Sequence, residues 1–369
     1  MLKNLKVENY RGIKSTELKD FSKINLFTGF NGSGKSSILE AIFLNSGGGN
    51  PRLVVSMYSF RNESTMTLGA QRVFKNLFLN LDVSKHLSIS ADVYPIAKSK
   101  AKNTRNDKRF LEIEPIFELQ TKSARVGKQQ RKLAGLQFNF IYKGKTHKTS
   151  LGWNIRAKSS KKSSKFEATD VPGLYFNAED TGPLLDGAFV SPYYRDPWEH
   201  VHEQITELVR TKNEYELLDV MNLLDNRVRR ILPLIEDGMP VIYIDLGGDK
   251  LIPLALMGSG FVHTTLMALG AYASRNGILV IDEIETGLHF SVLPKVFEFL
   301  LSVCSKYNIQ IFLATHSDEV IKCLAKTAEQ KDFTDLSLMK LMNRDGEVSG
   351  TKFTLDEIES AKEINAELR

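Results

Sequence analysis

Five side chains in this sequence have the types and settings that phosphate chemistry needs. Lys35 and Ser36 close a glycine-rich loop, Asp282 and Glu283 follow an apolar run, and His316 follows another. The loop, "GFNGSGKSS", fits G-x-x-x-x-G-K-[ST] at Gly29, Gly34, Lys35 and Ser36. Its glycines let the backbone curl until successive N–H groups, through Asn31, Gly32, Ser33 and Gly34, face one concavity. A helix starting at the loop's end adds partial positive charge, and the two together suit a polyphosphate. Lys35 is expected to reach the β- and γ-phosphates and the Ser36 hydroxyl to face Mg²⁺. Ser37, counted with the binding loop, chiefly continues the helix. In "GILVIDE", Asp282 would hold Mg²⁺, usually through water, and Glu283 would polarise the attacking water. "IQIFLATHS" ends at His316, where an imidazole could sense the γ-phosphate. These residues imply a site for a nucleoside triphosphate with Mg²⁺.

The elements that must position them can be read from their flanks. "KINLFTG" before the loop is strand-like and "SILEAIFL" after it is helix-like, and both later motifs end short apolar strands. The expected fold is α/β, a P-loop NTPase with an antiparallel β-subdomain and a helical insertion. At 369 residues, the chain is longer than one typical domain. Four segments are expected: 1–50, the first part of the ATPase core with the P-loop; 51–195, a β-rich basic subdomain; 196–235, a helical arm; and 236–369, the rest of the core. With 42% hydrophobic and 25% charged residues, the composition is that of a soluble globular protein. "MLKNLKVENYRG" is no signal peptide, and no apolar run approaches the 18 residues a spanning helix needs, so a cytoplasmic protein without membrane partners is expected. The cysteines are Cys304 and Cys323 without a C-x-x-C, which excludes a disulfide framework or a zinc hook.

The net charge of +5 hides an asymmetry: Lys98 to Lys165 holds 19 Lys/Arg against 4 Asp/Glu, or +15, leaving −10 elsewhere. Here "FLEIEPIFEL" and "LQFNFIYKGK" alternate like strands, and "KSKAKNTRNDKR" and "RAKSSKKSSK" read as exposed loops. The region is either a solvated β-subdomain with charged turns or a surface for nucleic acid or an acidic protein. "PWEHVHEQITELVRTKNEYELLDVMNLLDNRVRRIL" reads as two helices broken near Lys212 and Asn213, with Val201, Ile205 and Leu208 on one buried face. His200 and His202, two apart on a helix, point in different directions and do not form a metal pair.

The chain resembles the ABC-type ATPases of the SMC, RecF and OLD group, and within it the compact "AAA family" members. The resemblance rests on "LKVENYRGIKSTELKDFSKINLFTGFNGSGKSSILEAI", "VIDEIETGLHFSVLPKVFEFL" and "QIFLATHSDEVI", and the tail "LMKLMNRDGEVSGTKFTLDEIESAKEINAELR" looks like the usual ending of compact members, implying a complete chain. It implies two ATP sandwiched in a homodimer, or a higher oligomer built on one, with each site completed by a signature loop from the other subunit. In "LALMGSGFVH", Gly258, Ser259 and Gly260 occupy the signature position. This departs from the common Leu-Ser-x-Gly-Gln, so the phosphate-contacting serine is absent or displaced by one residue. Arg11 in "NYRG" matches the group's nucleotide-side arginine, and Gln71 is a candidate Q-loop glutamine.

Two function classes follow. One is a nucleotide-driven switch or sensor that controls a separate effector, a nuclease or toxin, as compact relatives do in bacterial phage defence. The other is a RecF-like ATPase that binds DNA directly through the Lys98 to Lys165 region. Long heptad runs are missing, which excludes SMC-type tethering. The residues after His316 number 53, too few for an appended TOPRIM nuclease, so a nuclease effector must be a separate protein.

Overall fold

A computed structural model of the chain describes residues 1–59, 70–94, 107–120, 130–153, 167–168, 174–192 and 198–363. The first elements are β1 (Leu2–Tyr10), β2 (Ile13–Leu18), β3 (Ile24–Thr28), α1 (Lys35–Ser46), α2 (Arg52–Ser59) and α3 (Ala70–Lys75). A run of strands follows: β4 (Leu87–Val93), β5 (Asp107–Gln120), β6 (Gln130–Tyr142), β7 (Lys145–Trp153), β8 (Glu167–Ala168), β9 (Leu174–Asn177) and β10 (Gly187–Val190). Next come α4 (Trp198–Arg210), α5 (Tyr215–Leu224), β11 (Arg230–Glu236), β12 (Met239–Asp245) and β13 (Ile252–Pro253). The chain then continues through α6 (Ser259–Ala273), β14 (Ile278–Ile281), α7 (Leu293–Tyr307) and β15 (Gln310–Ala314). It closes with α8 (Asp318–Gln330), β16 (Leu336–Arg344), β17 (Glu347–Thr354) and α9 (Leu355–Glu363).

One sheet of 14 strands, in the order β10-β14-β15-β3-β16-β17-β2-β1-β4-β5-β6-β7-β9-β8, carries the molecule. Its first five strands are mutually parallel. Beyond β17 the pairings are antiparallel except for the short parallel contact of β17 with β2. The parallel strands are covered on both faces, which is why "INLFT", "ILVI" and "QIFLA" are buried without alternation. Phe27, Val280 and Phe312 face the core that surrounds α1, whereas Leu26, Ile281 and Leu313 face the core built by α6, α7 and α8. Helix α1 is therefore apolar nearly all round, with Ile38, Leu39, Ile42 and Leu44 buried.

The strands of the basic region extend the sheet of β1 rather than closing a sheet of their own. The span 51–195, expected to be β-rich, also contains α2 and α3, and its last strand, β10, pairs in parallel with β14. Arg230 to Glu236 is strand β11, not the end of the helical arm, and it forms with β12 and β13 a second sheet on which α4 packs. The chain turns between α4 and α5 at Lys212, whose φ is 57°. The loop "RAKSSKKSSK" and most of "KSKAKNTRNDKR" lie outside the described residues. Among the described residues no helix is long and apolar enough to cross a membrane.

Arg109 on β5 is buried, and among the described residues no carboxylate pairs with it. Its Nη2 donates to the carbonyls of Asn45 (2.9 Å), Ser46 (3.0 Å) and Pro183 (2.9 Å), and its guanidinium lies over Phe140. Two of those carbonyls belong to the last turn of α1, beyond which no helical N–H follows; they also accept from the N–H groups of Gly48 (3.4 Å, to Asn45) and Leu185 (3.0 Å, to Ser46). Burial lowers the Arg109 pKa to about 10, so the cation persists at neutral pH.

Candidate functional site

Strands β3, β14 and β15 run in parallel, so their C-terminal ends open on one edge of the sheet, where ligands of open α/β folds bind. The glycine-rich loop leaves β3 there. Gly29 adopts φ 136°, and a Cβ on it would lie 2.4 Å from the Leu341 carbonyl of β16, so only glycine fits. Asn343, at the end of β16, donates from Nδ2 to the Gly32 carbonyl at 3.1 Å and steadies the loop from outside. Helix α1 then begins without a side-chain cap, which leaves its first N–H groups to a ligand. Asn31 and Gly32 are exposed and Ser36 and Ser37 half-buried. The Ser33 and Thr28 hydroxyls are buried without a hydrogen-bond partner, the mark of a cradle built for further polar atoms.

Lys35 is buried, and its Nζ donates to the carbonyls of Gly29 (2.7 Å) and Phe30 (3.2 Å) of its own loop. Burial depresses its pKa, while Asp282, Glu285 and Glu283 oppose the shift in that order. The lysine of the glycine-rich loop and the three acids of "DEIE" thus share one electrostatic neighbourhood. Asp282 is fixed by its backbone N–H to the Val190 carbonyl at 2.9 Å. Glu283 sits in the left-handed region (φ 47°), uncommon for a residue with a side chain, and its Oε2 accepts the Thr286 hydroxyl at 3.1 Å. The Ile284 N–H donates to the Ala314 carbonyl, and the His316 N–H donates to Glu285 Oε1 at 2.9 Å, which ties the turn after β14 to the end of β15.

Arg11 and the turn of Gly258 to Gly260 are each held by contacts within the chain. Arg11 has φ 51° and is almost fully buried; its Nε meets Glu40 Oε2 of α1 at 2.6 Å, and Tyr10 donates to the same oxygen at 3.0 Å. Its guanidinium is thereby anchored on the side of α1, with Nη2 buried and without a hydrogen-bond acceptor. Gly258 precedes α6 as its N-cap and Ser259 and Gly260 open the helix, with Gly258 and Ser259 exposed. That turn packs on the segment after Glu283 in the same chain: a Cβ on Gly260 would fall 2.1 Å from the Gly287 carbonyl. The side chain of Gln71 lies outside the described residues. Glu285, Asn343 and His263 were missed by sequence reasoning. Glu285 had a signal, as a third acid within "DEIE", but Asn343 and His263 reach the site only through tertiary packing.

The family described as "AAA domain, putative AbiEii toxin, Type IV TA system" matches residues 24–322, which span the loop, both acids and His316. The chain belongs to this family. An "ATP/GTP phosphatase" of Helicobacter pylori is 22% identical over 361 residues, covering 94% of this chain and 93% of its own length. RecF of Shewanella pealeana is 34% identical over 112 residues, only 26% of this chain and 31% of RecF. Two solved SMC head domains share the fold. One, bound to the C-winged helix domain of ScpA, has a TM-score of 0.55 at 14% identity and covers 97% of this chain and 99% of its own. The other, with an extended coiled coil and bound to the C-terminal domain of ScpA derived from Pyrococcus furiosus, has a TM-score of 0.53 at 11% identity, covering 99% of both chains. The mixed α/β sheet of this AAA-domain family member has the fold of the SMC head.

The donor set fits the nucleotide and cation that such a family implies. An uncapped helix start, a buried ammonium and orphaned hydroxyls suit a polyphosphate, and a serine hydroxyl with a carboxylate oxygen is the hard-oxygen set that Mg²⁺ prefers.

Proposed function

We propose that the chain binds ATP at the glycine-rich loop, hydrolyses it to ADP and phosphate, and uses the cycle to switch a separate effector. The observation that carries the chemistry is the gathering of Lys35, Asp282, Glu283, Glu285 and His316 at the C-terminal ends of three adjacent parallel strands. Lys35, now donating to Gly29 and Phe30, exchanges those carbonyls for β- and γ-phosphate oxygens. Ser36 and Asp282 are the residues that would hold Mg²⁺, whose charge neutralises the phosphate oxygens when bound. Glu283 takes the proton of the water that attacks the γ-phosphorus, the bond to the β-phosphate oxygen breaks, and ADP carries that oxygen away. His316 stands where the γ-phosphate would be sensed, its backbone fixed by Glu285.

In this reading two copies close around two ATP molecules, with Gly258 to Gly260 of each meeting the nucleotide of the other. Exposed apolar side chains support it: Phe30 in the loop is 62% exposed, Leu256 before the signature turn 75%, and Phe290 after the acidic turn 65%. Residues 51–195, less the strand β10, and the arm of α4 and α5 are proposed as the surfaces that report the nucleotide state, in a cytoplasmic protein. The effector is a separate nuclease or toxin, for instance of TOPRIM type, in antiviral defence. The family's printed description, which names a toxin and a toxin–antitoxin system, supports that class.

The second reading, a RecF-like ATPase on DNA, is favoured by the +15 charge of Lys98 to Lys165 and by the partial likeness to RecF. The two are separated by titrating duplex DNA with purified protein across a salt series. A DNA-acting ATPase gives an affinity that falls steeply with salt and is lost when lysines of that region are neutralised. An effector switch binds the product of a neighbouring gene in an ATP-dependent way while DNA binding stays weak. Phosphate release by wild type and by Glu283→Gln tests the chemistry. The variant should bind ATP and lose most turnover, and equal rates would remove Glu283 from the role of base.

A further inference from the structure

His263 lies one turn into α6, on the same helix whose first turn presents Gly258 to Gly260. It is buried, and its Nδ1 lies 3.1 Å from the Thr286 carbonyl. A carbonyl only accepts, so Nδ1 carries the proton. Burial holds the imidazole below the usual histidine range, so it stays neutral with Nε2 as a bare lone pair, and that atom is buried without a donor. Thr286 is held twice more, both times by Glu283: its hydroxyl donates to Glu283 Oε2 at 3.1 Å and its N–H to the Glu283 carbonyl at 2.9 Å. One residue further on, the Gly287 carbonyl packs on the Cα of Gly260.

We infer that His263 is a positioning residue that couples the first turn of α6 to the Glu283 carboxylate through Thr286. The inference rests on Glu283 being the base. Glu283 needs such support because its left-handed backbone is not one that a glutamate holds unaided. With the carbonyl of Thr286 fixed to the helix and its hydroxyl fixed to the carboxylate, a shift of α6 on engaging nucleotide moves Oε2 with it. The orphaned Nε2 fits an element with a second arrangement, since a buried acceptor without a donor is a cost that a moved helix can relieve. Signature turn and base would then be mechanically one unit, and each copy's own α6 would set its own Glu283.

The test compares His263→Leu, which keeps bulk but removes the donor, with His263→Asn, whose amide N–H can occupy the place of Nδ1–H. His263→Leu should lower kcat for ATP about 10- to 100-fold with KM and ATP affinity within twofold of wild type. His263→Asn should recover most of that loss. Thr286→Val, which removes the hydroxyl and keeps the carbonyl, should lower kcat similarly, and the Leu/Val double variant should be no worse than the poorer single. Turnover within twofold of wild type in folded His263→Leu, no rescue by Asn, or full additivity of the pair overturns the inference. If His263→Leu does not fold, Thr286→Val decides, and wild-type kcat there overturns it. Glu283→Gln run alongside separates the two failures: if it turns over normally the base is wrongly assigned, and if it is dead while His263→Leu is active only the coupling is wrong.

Discussion

Replacing Gly260 by alanine adds one methyl group to a helix start and should damage catalysis at a distance. In α6 the change gains helix propensity, about 0.5–1 kcal/mol. Against that, the new Cβ would sit 2.1 Å from the Gly287 oxygen and 2.9 Å from its carbon, atoms of a backbone that cannot rotate away. To restore ordinary contact at 3.4 Å the segment must retreat by about 1.3 Å, at a cost of about 1–3 kcal/mol for an overpacked site. Net destabilisation is therefore small, about 0–2 kcal/mol. The functional loss is larger, because the same segment carries Thr286 and through it Glu283 Oε2. A displacement of that size at a reacting group costs on the order of 100-fold in rate. The assay pairs phosphate release under saturating ATP with nucleotide affinity measured by a fluorescent analogue. Gly260→Ala should bind ATP with near-normal affinity and release phosphate about 100-fold more slowly, with a thermal midpoint only a few degrees lower. Wild-type turnover would show that the packing of α6 on the acidic turn has no hold on the base.

Lys35→Ala should weaken ATP binding about 100-fold or more, since two charge-assisted contacts to phosphate are lost, and near-normal affinity in a fluorescence titration would refute the loop assignment. Mixed with Ser259→Arg, which blocks the exposed signature turn, Lys35→Ala should recover about a quarter of wild-type activity, because half the dimers hold one intact composite site. Mixtures that stay dead while both variants associate would exclude a shared site. Arg109→Leu should destabilise the fold by about 3 kcal/mol, since the carbonyls of Asn45, Ser46 and Pro183 each lose a charge-assisted hydrogen bond, as read from chemical denaturation. Burial raises the Cys304 thiol pKa to about 12, so it should resist thiol reagents at neutral pH until the protein unfolds.

The glycine-rich loop was legible in the sequence because its information is local: glycine spacing, one lysine, an apolar run before and a helix-like apolar run after. The strands ending at Asp282 and His316 were legible for the same reason, since doubly covered parallel strands read as unbroken apolar runs. What escaped depends on which segments become neighbours. "GAFV" at Gly187 to Val190 is too short to announce itself, yet it holds Asp282 in place through the Val190 carbonyl. Arg109 reads as one more charge in a basic stretch, and only the folded chain brings its fork to the end of α1. Nor does anything in "MGSGFVH" reveal that its second glycine rests on the turn after Glu283, or that His263 reaches Thr286. The arginine of "NYRG" was expected beside nucleotide, and its bond to Glu40 follows from a carboxylate on α1 that no local pattern could assign.

The order in which the sheet is threaded bears on biogenesis. Ile24 of β3 pairs with Ile311 on one side and Leu336 on the other, so the strand that launches the glycine-rich loop has no neighbours until those residues leave the ribosome. At ordinary elongation rates that interval lasts roughly 15 to 60 s. During it, β5, β6 and β7 can already zip by local hairpins, whereas β3 remains an unpaired apolar ribbon open to chaperones or to wrong partners. A nascent chain therefore displays its cationic Lys98 to Lys165 stretch well before β3 is paired, and any partner that recognises that stretch has a window in which to bind before the glycine-rich loop is in place.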